Sequence, residues 1–231
     1  MKVAVIPARK NSQRIKNKNI INFFGKPIIS WPIVAAKKSK IFDRVIVSTD
    51  SKKISNIAEK YGAEIPFLRP KKLSDGQTGI IEVIKHAINF LESKNVKFEF
   101  VCCIFATAPF LEKKIINKAY KLLKKGKYDF VFGAIKVDTK FLRTFYIKNR
   151  KLKMLEQNFY QTPKNSYPSA YIDSGQFYWG TKKAWKTKKM IFSKNSNFVL
   201  LDNKKFIDIN TYEDFEYSKK IAKKNTHFFK N

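Results

Sequence analysis

Glycine is in short supply in this chain, with 8 among 231 residues, and the phosphate-binding patterns that depend on it are missing. Neither a complete G-x-G-x-x-G nor a Gly-Lys-Ser/Thr loop occurs, so neither a dinucleotide oxidoreductase nor a P-loop ATPase is indicated. Cysteine is limited to Cys102 and Cys103. Adjacent in an apolar segment, they suit neither an ordinary disulfide nor a zinc site, and they read as packing residues with no redox role. The two histidines, His86 and His227, have no Asp or Cys around them in a triad or metal spacing, so structural or surface roles are expected for both. Long apolar runs are also lacking. The longest, such as Phe100 to Leu111, is broken by Pro109 and falls short of the roughly 20 residues that cross a bilayer. Met1-Lys2 leads directly into a core strand and then a basic loop, with no secretory pattern, and the expected compartment is the cytoplasm.

Acidic residues are few as well, 18 against 48 lysines and arginines, for a formal net charge of +30. Such a balance ordinarily points toward nucleic acid. Yet arginine is sparse (Arg9, Arg14, Arg44, Arg69, Arg143, Arg150), and the lysines are spread over almost every helical segment instead of one stripe. That spread reads as a solvated surface attractive to anions of any kind. A non-catalytic, nucleic-acid-binding α/β protein stays open as a reading from another class, although nucleic acid is not the partner favoured.

The hydrophobic content, 44%, is enough for one full core. Strand-like and helix-like segments alternate. Strands are expected at Val3 to Ile6, Arg44 to Ser48, Glu64 to Leu68, Phe100 to Phe105 and Asp129 to Ile135. Helices are expected from Pro27 to about Ser39, from Lys52 to Tyr61 (capped by Asp50 or Ser51 and closed by Gly62), from Gly79 to Lys94 and from Glu112 to Lys125. This alternation predicts an α/β fold with a Rossmann-like, largely parallel sheet, as one domain over 1–231. Between about 136 and 170 the rhythm breaks into two short candidate strands, Arg143 to Ile147 and Lys151 to Leu155, and a polar aromatic loop. A two-stranded arm is marginal alone, so it is expected to pack against a second subunit and make a homodimer. The sheet resumes at Gln176 to Tyr178 and Phe198 to Leu201, and Phe206 to Ile209 leads into a helix from Thr211 to about Lys223.

The first strand runs into Pro7-Ala8-Arg9-Lys10-Asn11-Ser12-Gln13-Arg14-Ile15-Lys16-Asn17-Lys18-Asn19. A loop leaving the first strand of an α/β sheet projects from its carboxyl edge, where such folds bind ligands. Asn11 and Ser12 stand where phosphate loops usually carry glycine, and Asn tolerates positive φ best among other residues. A curl there would turn N–H groups inward as an anion nest, with Arg9 and Lys18 adding full charges and Arg14 and Lys16 a reserve. A nucleoside triphosphate would suit that cradle. Any loop in so lysine-rich a chain looks basic, and on charge alone that plainer account is preferred; the strand, tight turn and Arg9–Lys18 pair together favour the cradle.

Five segments in order, Ile-Pro-Ala-Arg at 6–9 with Ser12, Lys18 and Asn19, Val-Ser-Thr-Asp at 47–50, Leu-Arg-Pro at 68–70, Ala-Thr-Ala-Pro at 106–109 and Ile-Asp-Ile-Asn at 207–210, jointly resemble the CMP-sialic acid synthetase family. The branch most similar is that of the pseudaminic acid cytidylyltransferases, through Lys16-Asn17-Lys18-Asn19-Ile20, Asp173-Ser174-Gly175 before Tyr178-Trp179-Gly180, and Asp208 followed by Thr211 and Glu213-Asp214. The resemblance implies a nucleotidyltransferase fold with a small β dimerisation arm, and the reaction of CTP with an acidic nonulosonic sugar to give a CMP-sugar and pyrophosphate. CMP-sialic or CMP-legionaminic acid synthesis is the alternative.

The resemblance also implies site roles. Arg9, Lys18 and Asp208 would be catalytic. Ala8, Arg9, Asn11, Ser12 and Lys18 would hold the triphosphate, Asn19 would read the cytosine edge, and Arg69, Thr78 and Gly79 would complete the nucleotide pocket; Arg69 could equally be a surface arginine before a proline. Phe105, Thr107, Asp173 and Gln176 would face the sugar, with Phe105 equally readable as core. Sialic acid synthetases have a Gln where this chain has Phe105, and an apolar wall suits the methyl-ended tail of pseudaminic acid. Asp208 and Asn210 would hold Mg²⁺. The family has Asp-x-Asp there, two carboxylates at i, i+2 on one side of a strand end, and an amide ligates without the charge, so weaker metal binding is expected. Asp208 is alternatively a cap for the helix beginning near Thr211.

Overall fold

The computed structural model describes residues 1–203, 205–225 and 229; His227 lies outside them. In chain order its elements are β1 (Lys2–Pro7), β2 (Asn22–Phe23), β3 (Lys26–Pro27), α1 (Ser30–Lys38), β4 (Arg44–Ser48), α2 (Lys52–Lys60), α3 (Ile80–Ser93), β5 (Phe100–Ile104), α4 (Lys113–Lys124), β6 (Phe130–Val137), β7 (Phe145–Lys148), β8 (Lys151–Met154), β9 (Ala170–Thr181), α5 (Lys182–Lys186), β10 (Ser196–Leu201) and α6 (Tyr212–Lys224). The main sheet runs β10-β6-β9-β5-β1-β4. Pairings β1/β4, β1/β5 and β6/β10 are parallel, while β9 is antiparallel to both β5 and β6.

The period-2 alternation of β1 and β5 assigns each residue a face. Ala4, Ile6, Cys102 and Ile104 join the core under α1, α2, α4 and α6. Val3, Val5, Val101 and Cys103 join the core under α3 and α5. With both faces covered, β1 is apolar without a break from Val3 to Pro7, as a central strand must be. Cys102 and Cys103 are free and fully buried, and burial pushes both thiols up, in keeping with a packing role. His86 stands edge-on to Phe67 at 4.7 Å, and burial lowers its pKa, with Arg69 and Lys72 adding to the effect. No helix among the described residues is long and apolar enough to cross a membrane.

Several expectations change. The helix read from Pro27 begins at Ser30, because Pro27 pairs with Asn22 in the β2–β3 ladder. Glu64 to Leu68 makes only single bridges, Ile46 to Glu64 and Thr49 to Leu68. Pro66 within that segment has no N–H to donate to a continuous ladder. The strand read at Gln176 to Tyr178 is the middle of the 12-residue β9. Val137 leaves the sheet opposite Ala170, where β9 enters it, so the intervening arm returns the chain at the same end and β9 must run back antiparallel. The arm contains the β7–β8 hairpin, turned by Asn149 (φ 52°) and Arg150 (φ 59°), the paired left-handed conformation of a tight hairpin turn.

Candidate active site

The loop after β1 is fastened on two sides. Ala8 N–H donates to Ser48 O at 2.9 Å and Lys10 N–H to Asp50 Oδ1 at 2.7 Å, joining it to the end of β4. On the other side Lys18 Nζ donates to Ile209 O at 2.7 Å and Arg14 Nη2 to Asn210 Oδ1 at 2.8 Å. Within the loop, Asn19 Nδ2 donates to Arg9 O at 2.9 Å. The left-handed residue of the loop is Asn17, at φ 54°, and not Asn11 or Ser12. Every Asn in the run tolerates that conformation, and the one used is the one preceding the 3₁₀ turn Lys18–Ile20, which places Lys18. An anion nest at Asn11-Ser12 is therefore corrected.

At the carboxyl ends of β1 and β5 lies a cleft of about 410 Å³ that brings together Arg9, Ser12, Arg14, Lys18, Asn19, Arg69, Thr78, Phe105 and Thr107. Ala8, Asn11, Gly79, Asp173, Gln176, Asp208 and Asn210 do not line it. Ala8 is fully buried behind the loop, and Gly79 is the extended N-cap residue just before α3. Among the described residues no carboxylate lies within 4.0 Å of the charged nitrogens of Arg9, Arg14, Lys18 or Arg69. Four cations around one cleft without ion-pair partners among the described residues make a strong anion site.

Arg69 is no surface arginine: it is 5% exposed, and Nη2 has no hydrogen-bond partner among the described residues. Its Nε donates to Ser74 Oγ at 3.1 Å, and burial pulls its pKa down, opposed by Asp50. A buried, unpaired guanidinium nitrogen at a cleft wall is costly unless a ligand supplies the acceptor. Burial also lowers Lys18, with Asp208 acting against it and Arg14 and Arg9 adding to it.

Beside the cleft, the segment entering α6 carries Asp208 and Asn210. Asn210 Nδ2 donates to Asp208 Oδ2 at 2.5 Å, while the cap of α6 is made by Thr211 and Asp214 in a reciprocal capping box. The alternative of Asp208 as that helix's cap is thereby set aside. The surroundings raise the Asp208 pKa, chiefly by desolvation, with the Asn210 amide and Lys18 opposing. Gln176 Nε2 bonds Ser174 O and Ile207 O, holding this segment to β9. Asp173 accepts from Tyr178 Oη and from Gly175 N–H, and burial raises its pKa. Tyr178 and Phe105 meet edge-on at 5.2 Å, so Phe105 is core on one side and cleft wall on the other. Lining residues not anticipated as site residues from the sequence include Gln13, Leu73, Gly76, Ile80 and Val83; of these Gly76 leaves a local signal, as the second residue of the turn pair Asp75-Gly76.

Comparison with known proteins gives the geometry a family context. The family model described as cytidylyltransferase matches residues 3–230. A pseudaminic acid cytidylyltransferase of Campylobacter jejuni is 40% identical over 224 residues, covering 96% of this chain and 97% of the relative. A CMP-N,N'-diacetyllegionaminic acid synthase of Legionella pneumophila is 30% identical over 225 residues, covering 96% and 97%. Among solved structures, CMP:2-keto-3-deoxy-manno-octonic acid synthetase complexed with CTP superposes with a TM-score of 0.73 at 12% identity, covering 97% of this chain and 99% of its own, a likeness of fold.

Proposed function

The chain belongs to the cytidylyltransferase family, and from that premise we propose that it joins CMP from CTP to pseudaminic acid, a nine-carbon α-keto acid sugar, and releases pyrophosphate. The observation that carries this reading is the set of four cations, Arg9, Arg14, Lys18 and Arg69, around one cleft without carboxylate partners among the described residues.

The sugar's anomeric hydroxyl attacks the α-phosphorus in line and gives up its proton to solvent, the bond to the bridging oxygen breaks, and charge accumulates on the departing pyrophosphate. Little covalent chemistry is asked of the protein; charge stabilisation and positioning do most of it. Arg9 and Lys18 supply fixed positive charge to the phosphates, and Ser12 a hydroxyl donor. Asn19, whose Nδ2 is committed to Arg9 O, keeps its Oδ1 to accept from the exocyclic amine of cytosine. Arg69 Nη2 awaits an acceptor on the nucleotide.

Asp208 and Asn210 are the residues that would hold the Mg²⁺ the family resemblance implies. Asp208 offers Oδ1 of its carboxylate, its Oδ2 accepting from Asn210 Nδ2, whereas the Asn210 amide oxygen accepts from Arg14 Nη2 and would serve the ion only with that guanidinium turned away; Mg²⁺ is commonly held by one or two carboxylates plus substrate phosphates instead of an all-protein cage. No group of three or more His, Cys, Asp or Glu gathers among the described residues. When bound, the ion would neutralise charge on the phosphates.

Support for pseudaminic acid comes from the name of the 40% identical relative and from the apolar Phe105 wall, which matches a methyl-ended tail. We place the enzyme in the cytoplasm, as a homodimer joined through the arm. The test is pyrophosphate release from CTP with pseudaminic, legionaminic and sialic acids, with and without Mg²⁺. Fastest turnover with pseudaminic acid is expected, and Phe105→Gln should narrow the preference; a higher kcat/KM with sialic acid refutes the choice of sugar. Salt-sensitive nucleic-acid binding with no pyrophosphate release would instead favour the non-catalytic reading.

A further inference from the structure

Arg9 reaches the cleft across a bare glycine. Gly76 has φ +95°, and a Cβ built on it would stand 2.3 Å from Arg9 Nη1 and 3.3 Å from Arg9 Cζ. The atom in the way is the far end of a flexible side chain and not backbone. An added methyl is therefore accommodated by moving the guanidinium while the fold stays closed.

What holds Gly76 in that place is Asp75. Its Oδ1 accepts from Gln77 N–H, Thr78 N–H and Thr78 Oγ1, each at 2.9 Å. These bonds, led by that from the Thr78 amide, hold the Asp75 carboxyl below the usual carboxylate range. The loop thus has a fixed shape where it meets Arg9. Arg9 needs such a stop, because no carboxylate among the described residues lies within 4.0 Å to orient its guanidinium. Misplacing a phosphate-holding charge by about 1 Å can cost on the order of a hundredfold in rate.

Resting on the reading of the cleft as a nucleotide site, we propose that Gly76, shaped by Asp75, is a positioning residue that sets where the Arg9 guanidinium stands over the phosphates of CTP. The loop before α3 then acts on catalysis through a residue of the β1 loop more than sixty positions earlier in the chain. Asp75 is a positioning residue at one further remove.

A double-mutant cycle tests this, reading the Kd for CTP by calorimetry alongside a thermal melt. Arg9→Ala and Gly76→Ala are each expected to weaken CTP about tenfold, the loss of one charge-assisted hydrogen bond. In the Arg9→Ala background Gly76→Ala should cost nothing more, since the methyl then has nothing to displace. Strain at the left-handed glycine lowers the melting temperature equally in both backgrounds. Asp75→Ala should copy the Gly76→Ala loss, and Asp75→Asn, which keeps the Oδ1 acceptor, should restore affinity. Independent addition of the two losses, or a Gly76→Ala protein that binds CTP as the wild type does, overturns the proposal alone. Unchanged CTP binding by Arg9→Ala overturns the nucleotide reading and the proposal with it.

Discussion

Gly175 and Asp208 meet so closely that a Cβ on the glycine would lie 2.5 Å from the carboxylate carbon. Gly175 is also left-handed, at φ +61°, so it serves both a backbone conformation and a close approach. Gly175→Ala should be less stable by at least about 1 kcal/mol from the backbone conformation alone, with Asp208 and the backbone that carries it pushed aside, since the new methyl would also stand 2.8 Å from Asp208 Cβ. Turnover should drop about a hundredfold, the scale of a 1 Å misplacement. Pyrophosphate release and a thermal melt measure the two effects separately. A variant with full turnover would remove Asp208 from the chemistry.

Lys18 should set the alkaline limit of nucleotide binding. Burial lowers its pKa from the ordinary 10.5, and if, as proposed, the ammonium holds phosphate, affinity for CTP should fall as pH rises while exposed lysines are still charged. Stability moves the other way. Between the folded and unfolded pKa values the unfolded chain binds more protons at this site, so the Lys18 contribution to folding improves as pH rises through that window. Lys18→Arg keeps its charge and should abolish the alkaline fall. The measurement is the Kd for CTP across the alkaline range for both proteins; parallel curves would show that another group sets the limit.

The legible parts of this molecule are those fixed by local pattern. The unbroken apolar run of β1, the Ser51 cap of α2 and the Thr211–Asp214 start of α6 all stand where side-chain type and spacing put them. So does the gathering of Arg9, Lys18 and Asn19, because strand order places the first βα loop at the carboxyl edge. The direction of β9 was not legible, since it depends on where the arm returns the chain and not on residues 170–181 themselves. The burial of Arg69 was hidden likewise: a basic residue before Pro70 looks solvated until the fold encloses it and Ser74 Oγ accepts from its Nε. Gly76 and Gly175 matter through atoms of Arg9 and Asp208, far away in sequence, and only the assembled fold shows that a Cβ at either position would press on those side chains.

Asn210 weakens the acidic character of the site in a definable way. Its Nδ2 donates to Asp208 Oδ2 and its Oδ1 accepts from Arg14, so the amide joins an anion to a cation. Asn210→Asp replaces the donor by a second carboxylate beside the first. Without a divalent ion the repulsion should lower the melting temperature, and with one the pair should bind it more tightly. The expected outcome is a lower half-saturating Mg²⁺ concentration for pyrophosphate release and a larger thermal stabilisation by Mg²⁺; Asp208→Ala should remove turnover. Magnesium titrations identical to wild type in both variants would exclude this place as the metal site.

The β7–β8 hairpin has one apolar face and one polar face. Phe145 pairs with Met154 and Ile147 with Leu152, and these four point the same way, whereas the intervening pairs are Tyr146 with Lys153 and Lys148 with Lys151. Ile147 is 73% exposed and Leu152 61%. A lone hairpin with its apolar face in water is marginally stable, and covering each of these side chains contributes roughly 1.5–3 kcal/mol. A second copy would offer a matching face, and a two-fold contact between hairpins would bury Ile147 and Leu152 of both chains at once. Sedimentation at micromolar concentration should therefore show a dimer. Replacing Ile147 and Leu152 together by Lys removes four apolar anchors per dimer and adds four like charges, enough to shift the equilibrium to monomer. A wild-type protein that sediments as a monomer at that concentration would leave the arm without this role.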